Sequence, residues 1–183
     1  FDLYSQMLKD AIEDLKAEKQ ETTVSEPELQ LKVDAYIPDT YIADERQKIE
    51  MYKKVRGVVE REEVAELASE MVDRFGEPPT PVSNLLNLSR IRIHARRSGV
   101  AEIKDKGKAV VLKFDNNNVS AQRLIKLAGQ YKKQVRLIPG KDVRAEIKFK
   151  NDNEQEKLAF IEQFLIQCES ASNSKGEIQR AAN

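Results

Sequence analysis

Val72-Asp73-Arg74-Phe75-Gly76-Glu77-Pro78-Pro79-Thr80-Pro81-Val82 is the stretch whose reading decides the fold. Upstream of it, Val64, Leu67, Ala68, Met71, Val72 and Phe75 recur at helical spacing, so a helix is expected from about Arg61 to Phe75. Gly76 is placed to serve as its C′ residue, where glycine takes the left-handed conformation at little cost. Three prolines then bar helix, and Pro81 suits the first turn of the next one because its missing N–H goes unused there. That second helix is expected from about Pro81 to Ser98, with Val82, Leu85, Leu86, Leu88, Ile91, Ile93 and Ala95 inside. The stretch is thus a corner that fixes two helices and presents a surface. It contains no nucleophile and no set of metal ligands.

Working outward, Asp44 can cap a helix carrying Ile49, Tyr52 and Val55, closed by Gly57. Before it, Leu29, Leu31, Val33 and Ala35 alternate with polar residues, which is strand spacing. Residues 1–19 show helical spacing at Leu3, Met7, Leu8, Ala11, Ile12 and Leu15, and 22–27 is polar and turn-like. Downstream, the period changes. Residues 101–103 and 109–114 read as strands around the hairpin signal Asp105-Lys106-Gly107-Lys108. Residues 120–131 read as a helix with Leu124, Ile125, Leu127 and Ala128 on its buried side. Residues 135–138 and 143–149 form a second strand pair. A last helix covers about 153–169 and uses Leu158, Ile161, Phe164, Leu165 and Cys168. The expected class is α+β: N-terminal helices, then a ββαββα unit whose small antiparallel sheet packs on helices.

The 183 residues allow one domain of ordinary size with an appendage. Domain limits are read as a helix and linker over 1–27, a globular domain over 28–170 and a flexible tail over 171–183. Phe1 opens the chain within a helical pattern, which suggests a piece of a longer protein. No apolar run approaches the roughly 20 residues that cross a bilayer. Cys168 is the single cysteine, so no disulfide forms within the chain, which fits a reducing, cytoplasmic location. The net charge of zero hides an asymmetry. Residues 1–75 hold 19 acidic and 11 basic side chains, whereas residues 76–183 hold 12 and 20.

Catalytic motifs are lacking. The glycines are scattered, and none forms a phosphate-cradling loop before Lys-Ser or Lys-Thr. His94 is the sole histidine and has no ligand spacing to Cys168, so neither a metal centre nor a triad can be assembled. No cofactor and no small-molecule substrate are expected, and the chain is read as non-enzymatic. Two charged surfaces remain. Arg90, Arg92, Arg96 and Arg97 lie on the helix after the corner, with Lys104, Lys106 and Lys108 just after, and Arg92 and Arg96 share a face. They could touch phosphates, or equally the carboxylates of a protein. No aromatics interleave with them, so no base-stacking platform is expected. On the helix before the corner, Glu63, Glu66, Glu70, Asp73 and Arg74 fall outside the apolar stripe. Glu70 and Asp73, three apart, could receive arginines from a partner, or simply be a solvated face.

Several segments resemble a known family. These are Phe1-Asp2-Leu3-Tyr4-Ser5-Gln6-Met7-Leu8, Asp34-Ala35-Tyr36-Ile37-Pro38-Asp39-Thr40-Tyr41-Ile42 with Asp44-Glu45-Arg46, Met51-Tyr52-Lys53-Lys54, and the corner itself. In that order they are similar to the C-terminal region of bacterial transcription-repair coupling factors. The Tyr-Ile-Pro-Asp and Asp-Arg-Phe-Gly-x-x-Pro segments are the specific parts, while residues 101–169 match mainly in pattern. The resemblance implies a parent that is an ATP-driven translocase on double-stranded DNA. Such a parent displaces stalled RNA polymerase and recruits the excision-repair protein UvrA. It implies that residues 1–20 end the motor region, whose ATPase motifs lie upstream. The rest would be a regulatory domain that packs on a UvrB-like N-terminal module and masks the UvrA-binding surface. Glu70 and Asp73, with Arg74 as a further contact, match the acidic positions that face that module's arginines. The alternative is an accessory nucleic-acid-binding module that uses the Arg90–Arg97 helix, with Arg92, Arg96 and Arg97 as phosphate contacts.

Overall fold

The structure is a computed structural model that describes residues 26–115 and 119–169. The expected helix over 1–19 and tail over 171–183 lie outside the described residues. Ten elements follow in order: β1 (Glu28–Gln30), α1 (Glu45–Gly57), α2 (Arg61–Phe75), α3 (Thr80–Arg97), β2 (Val100–Asp105), β3 (Ala109–Phe114), α4 (Ala121–Gln130), β4 (Val135–Ile138), β5 (Arg144–Lys148) and α5 (Glu154–Cys168). The class is α+β, with five helices and one mixed, mostly antiparallel sheet of order β1-β2-β3-β5-β4.

The local signals act as their chemistry requires. Asp44 accepts from the Gln47 amide, Ser120 from Arg123 and Asn153 from Glu156, so three helices start on side-chain caps. Gly76 sits at φ 85°, and its amide donates to Val72 O at 2.9 Å, which stops α2. Pro81 is in the first turn of α3, with Thr80 ahead of it. Tyr41 fastens the corner from the side. Its hydroxyl lies 2.8 Å from Gly76 O and 3.2 Å from Met71 O, and its ring centroid is 5.9 Å from that of Phe75.

Helix α3 is the centre of the molecule. One side, with Ile91 and Ala95, joins the cluster built by the sheet, α4 and α5. The other, with Val82, Leu85, Leu86 and Ile93, joins Ile37, Ile42, α1 and α2. Being covered nearly all round, it buries polar groups too, and most of their polar atoms find partners, His94 Nε2 being left without one among the described residues. Asn84 donates to Asp34 O at 3.0 Å and accepts from Gln155 at 2.8 Å. The Ser98 hydroxyl lies 2.6 Å from His94 O and 2.8 Å from Leu165 O. His94 Nδ1 meets Glu169 at 2.5 Å, which ties α3 to the end of α5.

Three expectations need correction. The strand read over 29–35 is only Glu28–Gln30, and it joins the sheet edge parallel to β2. The chain turns out of the ladder there because the Lys32 amide is taken by the Asp105 carboxylate at 3.1 Å and Val33 N by Leu31 O. Ile125 is 63% exposed rather than buried, and Val72 is 42% exposed. Both lie about 100° around their helix from a fully buried neighbour, Leu124 or Met71. In each helix the neighbouring elements cover only one side, so its buried stripe is narrower than its apolar sequence.

Cys168 is fully buried. Burial, reinforced by Glu169, pushes its thiol well above the ordinary range, so little thiolate forms. A thiol reagent at pH 8 is expected to modify Cys168 only as fast as the protein unfolds. Prompt labelling of the native chain would contradict this burial.

Candidate protein-interaction surface

Helix α2 buries Val64, Leu67 and Met71 and turns its opposite side outward. Glu62, Ala65, Glu66, Ser69, Val72 and Asp73 are all exposed. They are spaced at helical repeats and form one stripe along the outer face. Small Ala65 and Ser69 keep it flat, Val72 gives it an apolar spot beside the corner, and Asp73 stands next to that spot. Among the described residues, Glu62, Glu66 and Asp73 have no ion-pair partner within the chain.

The structure separates the site residues that the sequence grouped. Glu70 leans toward α1, where Lys54 Nζ lies 2.8 Å and 3.0 Å from its two carboxylate oxygens. Lys54 also meets Glu50 at 3.3 Å, and Arg74 reaches Glu50 at 3.3 Å and Glu70 at 3.9 Å. The Arg74 guanidinium stacks 4.9 Å from the Phe75 centroid. These groups form a four-membered network of alternating charge across the α1–α2 seam. The hydrogen bonds that Lys54 donates, to Glu70 and then to Glu50, raise its pKa against the opposing effect of burial. Lys54 and then Arg74 lower that of Glu50. Asp73, one turn from Glu70, stays free on the outer stripe. Sequence spacing assigned Val72 to the core and so missed it as the apolar centre of this face.

The arginines of α3 are mostly engaged. Arg96 bonds Glu26 at 3.1 Å and Val59 O at 3.2 Å, and Arg97 pairs with Glu60. Arg90 meets Asn87 and, at 3.4 Å, Glu162 of α5. Arg92 is half-buried, and no ion pair within the described residues holds it. The acidic and basic parts of the sequence therefore meet each other along this helix.

The sequence and the fold have counterparts. A profile of the TRCF domain family matches residues 31–125. A transcription-repair-coupling factor from Bacillus subtilis (strain 168) is 41% identical over 162 residues, covering 86% of this chain and 14% of the relative. One from Staphylococcus aureus (strain USA300) is 44% identical over 111 residues, covering 60% of this chain and 10% of the relative. The chain thus spans about a seventh or less of the length of these relatives. A crystal structure of the C-terminal domain of transcription-repair coupling factor superposes with a TM-score of 0.75 at 30% identity. It covers 82% of this chain and 96% of that one. No helix among the described residues is long and apolar enough to cross a membrane. By sequence and by fold alike, the chain belongs to the TRCF domain family, the C-terminal domain of transcription-repair coupling factors.

Proposed function

We propose that this domain is a non-catalytic, autoinhibitory latch. In the parent protein, the outer stripe of α2 packs on a UvrB-like N-terminal module and covers the surface that binds UvrA. The parent is an ATP-dependent DNA translocase that displaces stalled RNA polymerase, and release of the latch couples that event to excision repair. The observation that carries this reading is the free carboxylate of Asp73 beside exposed Val72, held at a fixed angle by the Gly76–Pro81 corner. An apolar spot beside an unpaired carboxylate, on a rigid element, fits a docking site for arginine-bearing protein. Exposed charge pairs are individually weak, which suits a contact that must open. Engagement of Arg96 and Arg97 inside the chain speaks against the alternative reading of α3 as the nucleic-acid contact.

The test uses the full-length parent protein. Asp73→Lys is expected to raise UvrA binding about tenfold, since loss and reversal of a docking charge shifts a latch by about that much. The melting temperature of the isolated domain should not move. Glu70→Lys is expected to raise UvrA binding as well, by placing a like charge against Lys54 and Arg74 and loosening the α1–α2 seam. Resting-level UvrA binding in Asp73→Lys, with the domain folded, would remove the latch from this face.

A further inference from the structure

The strongest charge feature of the chain lies away from the α2 stripe. Residues 101–150 hold 13 Lys and Arg against five Asp and Glu. Backbone hydrogen bonds gather much of that charge at one end of the sheet. In the β2–β3 turn, the Lys106 amide donates to Ala109 O at 2.8 Å, with Lys106 and Lys108 on the outside. The Phe149 amide donates to Lys108 O at 2.7 Å, which brings Lys148 and Lys150 alongside. The Lys148 amide donates to Gln134 O at 2.8 Å, which adds Lys132 and Lys133 from the α4–β4 connection. Six lysines from three chain segments thus share one end of the sheet, and all six are exposed.

Most of the carboxylates at this end are occupied. Lys157 of α5 is buried and reaches Asp105 at 2.9 Å and 3.0 Å, Asp152 at 2.8 Å and Gly107 O at 2.7 Å. In the first turn of α5, Glu154 faces Asn84 at 3.5 Å, which leaves exposed Glu156. Among the described residues, none of the six lysines has an ion-pair partner. Lys132 adds an independent observation. It stands just past the C-cap of α4 at φ 53°, a left-handed position that glycine or asparagine fills at lower cost. The chain holds a charged, flexible side chain at a place where the backbone favours another residue.

We propose that this lysine-rich end of the sheet is a contact surface for the phosphate backbone of duplex nucleic acid. An acidic protein is the lesser fit, because protein interfaces are depleted in lysine and need an apolar centre. Among the described residues, the exposed large apolar side chains are Tyr36, Val59, Val72 and Ile125, and none lies in these three segments. Lysine offers a point charge without the planar fork that reads bases, so binding is independent of sequence. No exposed aromatic lies in these three segments to stack single-stranded bases; Phe149 is instead packed edge-on against Phe160 at 5.7 Å. The surface extends the latch reading and does not depend on it, since it uses neither Asp73 nor the α3 arginines.

The test is fluorescence anisotropy of a labelled random-sequence duplex titrated with the 183-residue chain at several salt concentrations. Binding is expected to weaken steeply with salt, with a slope in log K against log salt of about −4 to −5 for about five phosphate contacts. Lys106→Glu/Lys108→Glu is expected to weaken binding about tenfold or more and to flatten the slope by about 2. Lys132→Gly is expected to weaken binding while leaving Tm equal or higher, because it removes the charge and relieves the backbone together. That pairing cannot arise from unfolding. Absence of binding at low salt overturns the proposal. So does retention of full affinity in both lysine variants with its loss in Arg92→Glu, or displacement of the duplex by poly-glutamate at equal charge concentration.

Discussion

Lys157→Met is expected to destabilise the domain by about 3–5 kcal/mol, the scale for removing one partner of a buried ion pair. Both side chains are almost wholly buried, at 4% and 0% exposure. Lys157 alone joins the β2–β3 turn, the start of α5 and the loop at Asp152. Methionine fills most of the volume but leaves Asp105 charged and without its cation, and leaves Gly107 O unbonded. Adding Asp105→Asn should restore about 1 kcal/mol, because the amide removes the stranded charge, while its single oxygen keeps only one of the two bonds now accepted from the Lys32 and Gly107 amides. Urea unfolding of the single and double variants checks this, and equal instability of the two would refute the account.

The pair also fixes a pH profile. Burial pushes the Asp105 pKa up, but the hydrogen bond from Lys157 and those from the Gly107 and Lys32 amides outweigh it, so the carboxyl ends below its ordinary value. Burial pulls Lys157 down, and Asp152 and Asp105 more than compensate, so it ends above its ordinary value. A depressed carboxyl contributes stability that is complete above the unfolded value near pH 3.9 and is lost as pH falls through the folded one. A raised amine contributes stability that is complete below about pH 10.4 and is lost as pH rises through its folded value. Wild-type stability should therefore be flat in this contribution from about pH 5 to 9. In Lys157→Met, lowering the pH should shrink the deficit, since protonation neutralises the stranded Asp105.

Phe164→Ala is the second large effect, at about 3–5 kcal/mol for a buried phenylalanine. Phe164 is 1% exposed, and its ring meets Tyr131 edge-on at 5.4 Å in the cluster beneath the sheet. The informative readout is amide exchange in α2, which lies in the other cluster. Because α3 supplies one side to each cluster, protection in α2 should fall together with that in the sheet. Unchanged protection in α2 would show that the two clusters open independently, contrary to the role of α3 as a shared wall.

Much of the architecture was legible in the sequence because it rests on short-range chemistry. The 15-residue span of α2 follows from the 3.6-residue period, and its end follows from Gly76. Caps at Asp44, Ser120 and Asn153 need only a side chain and an amide three residues on. The hairpin at Asp105–Lys108 is equally local. Legibility failed where a helix face is bounded by what lies against it. Val72 and Ile125 have the right type for a core, but only the packing layer decides how wide the buried stripe is.

For the candidate site, the same division holds. The sequence by itself determined that α2 ends in a rigid corner, that acidic groups lie on its outer side, and that basic charge concentrates downstream. Spacing within one element fixes which residues are neighbours, and composition fixes the sign of each region. Only the tertiary structure decided which of those charges are free. Glu70 is taken by Lys54, 16 residues away, and Asp73 is left open. Arg97 is taken by Glu60 and Arg96 by Glu26, at separations of 37 and 70 residues. Lys157 takes Asp105 from 52 residues away and leaves the lysines of the sheet end uncompensated. An ion pair depends on a separation of a few ångströms in space, and that distance is set by the packing of whole elements around α3.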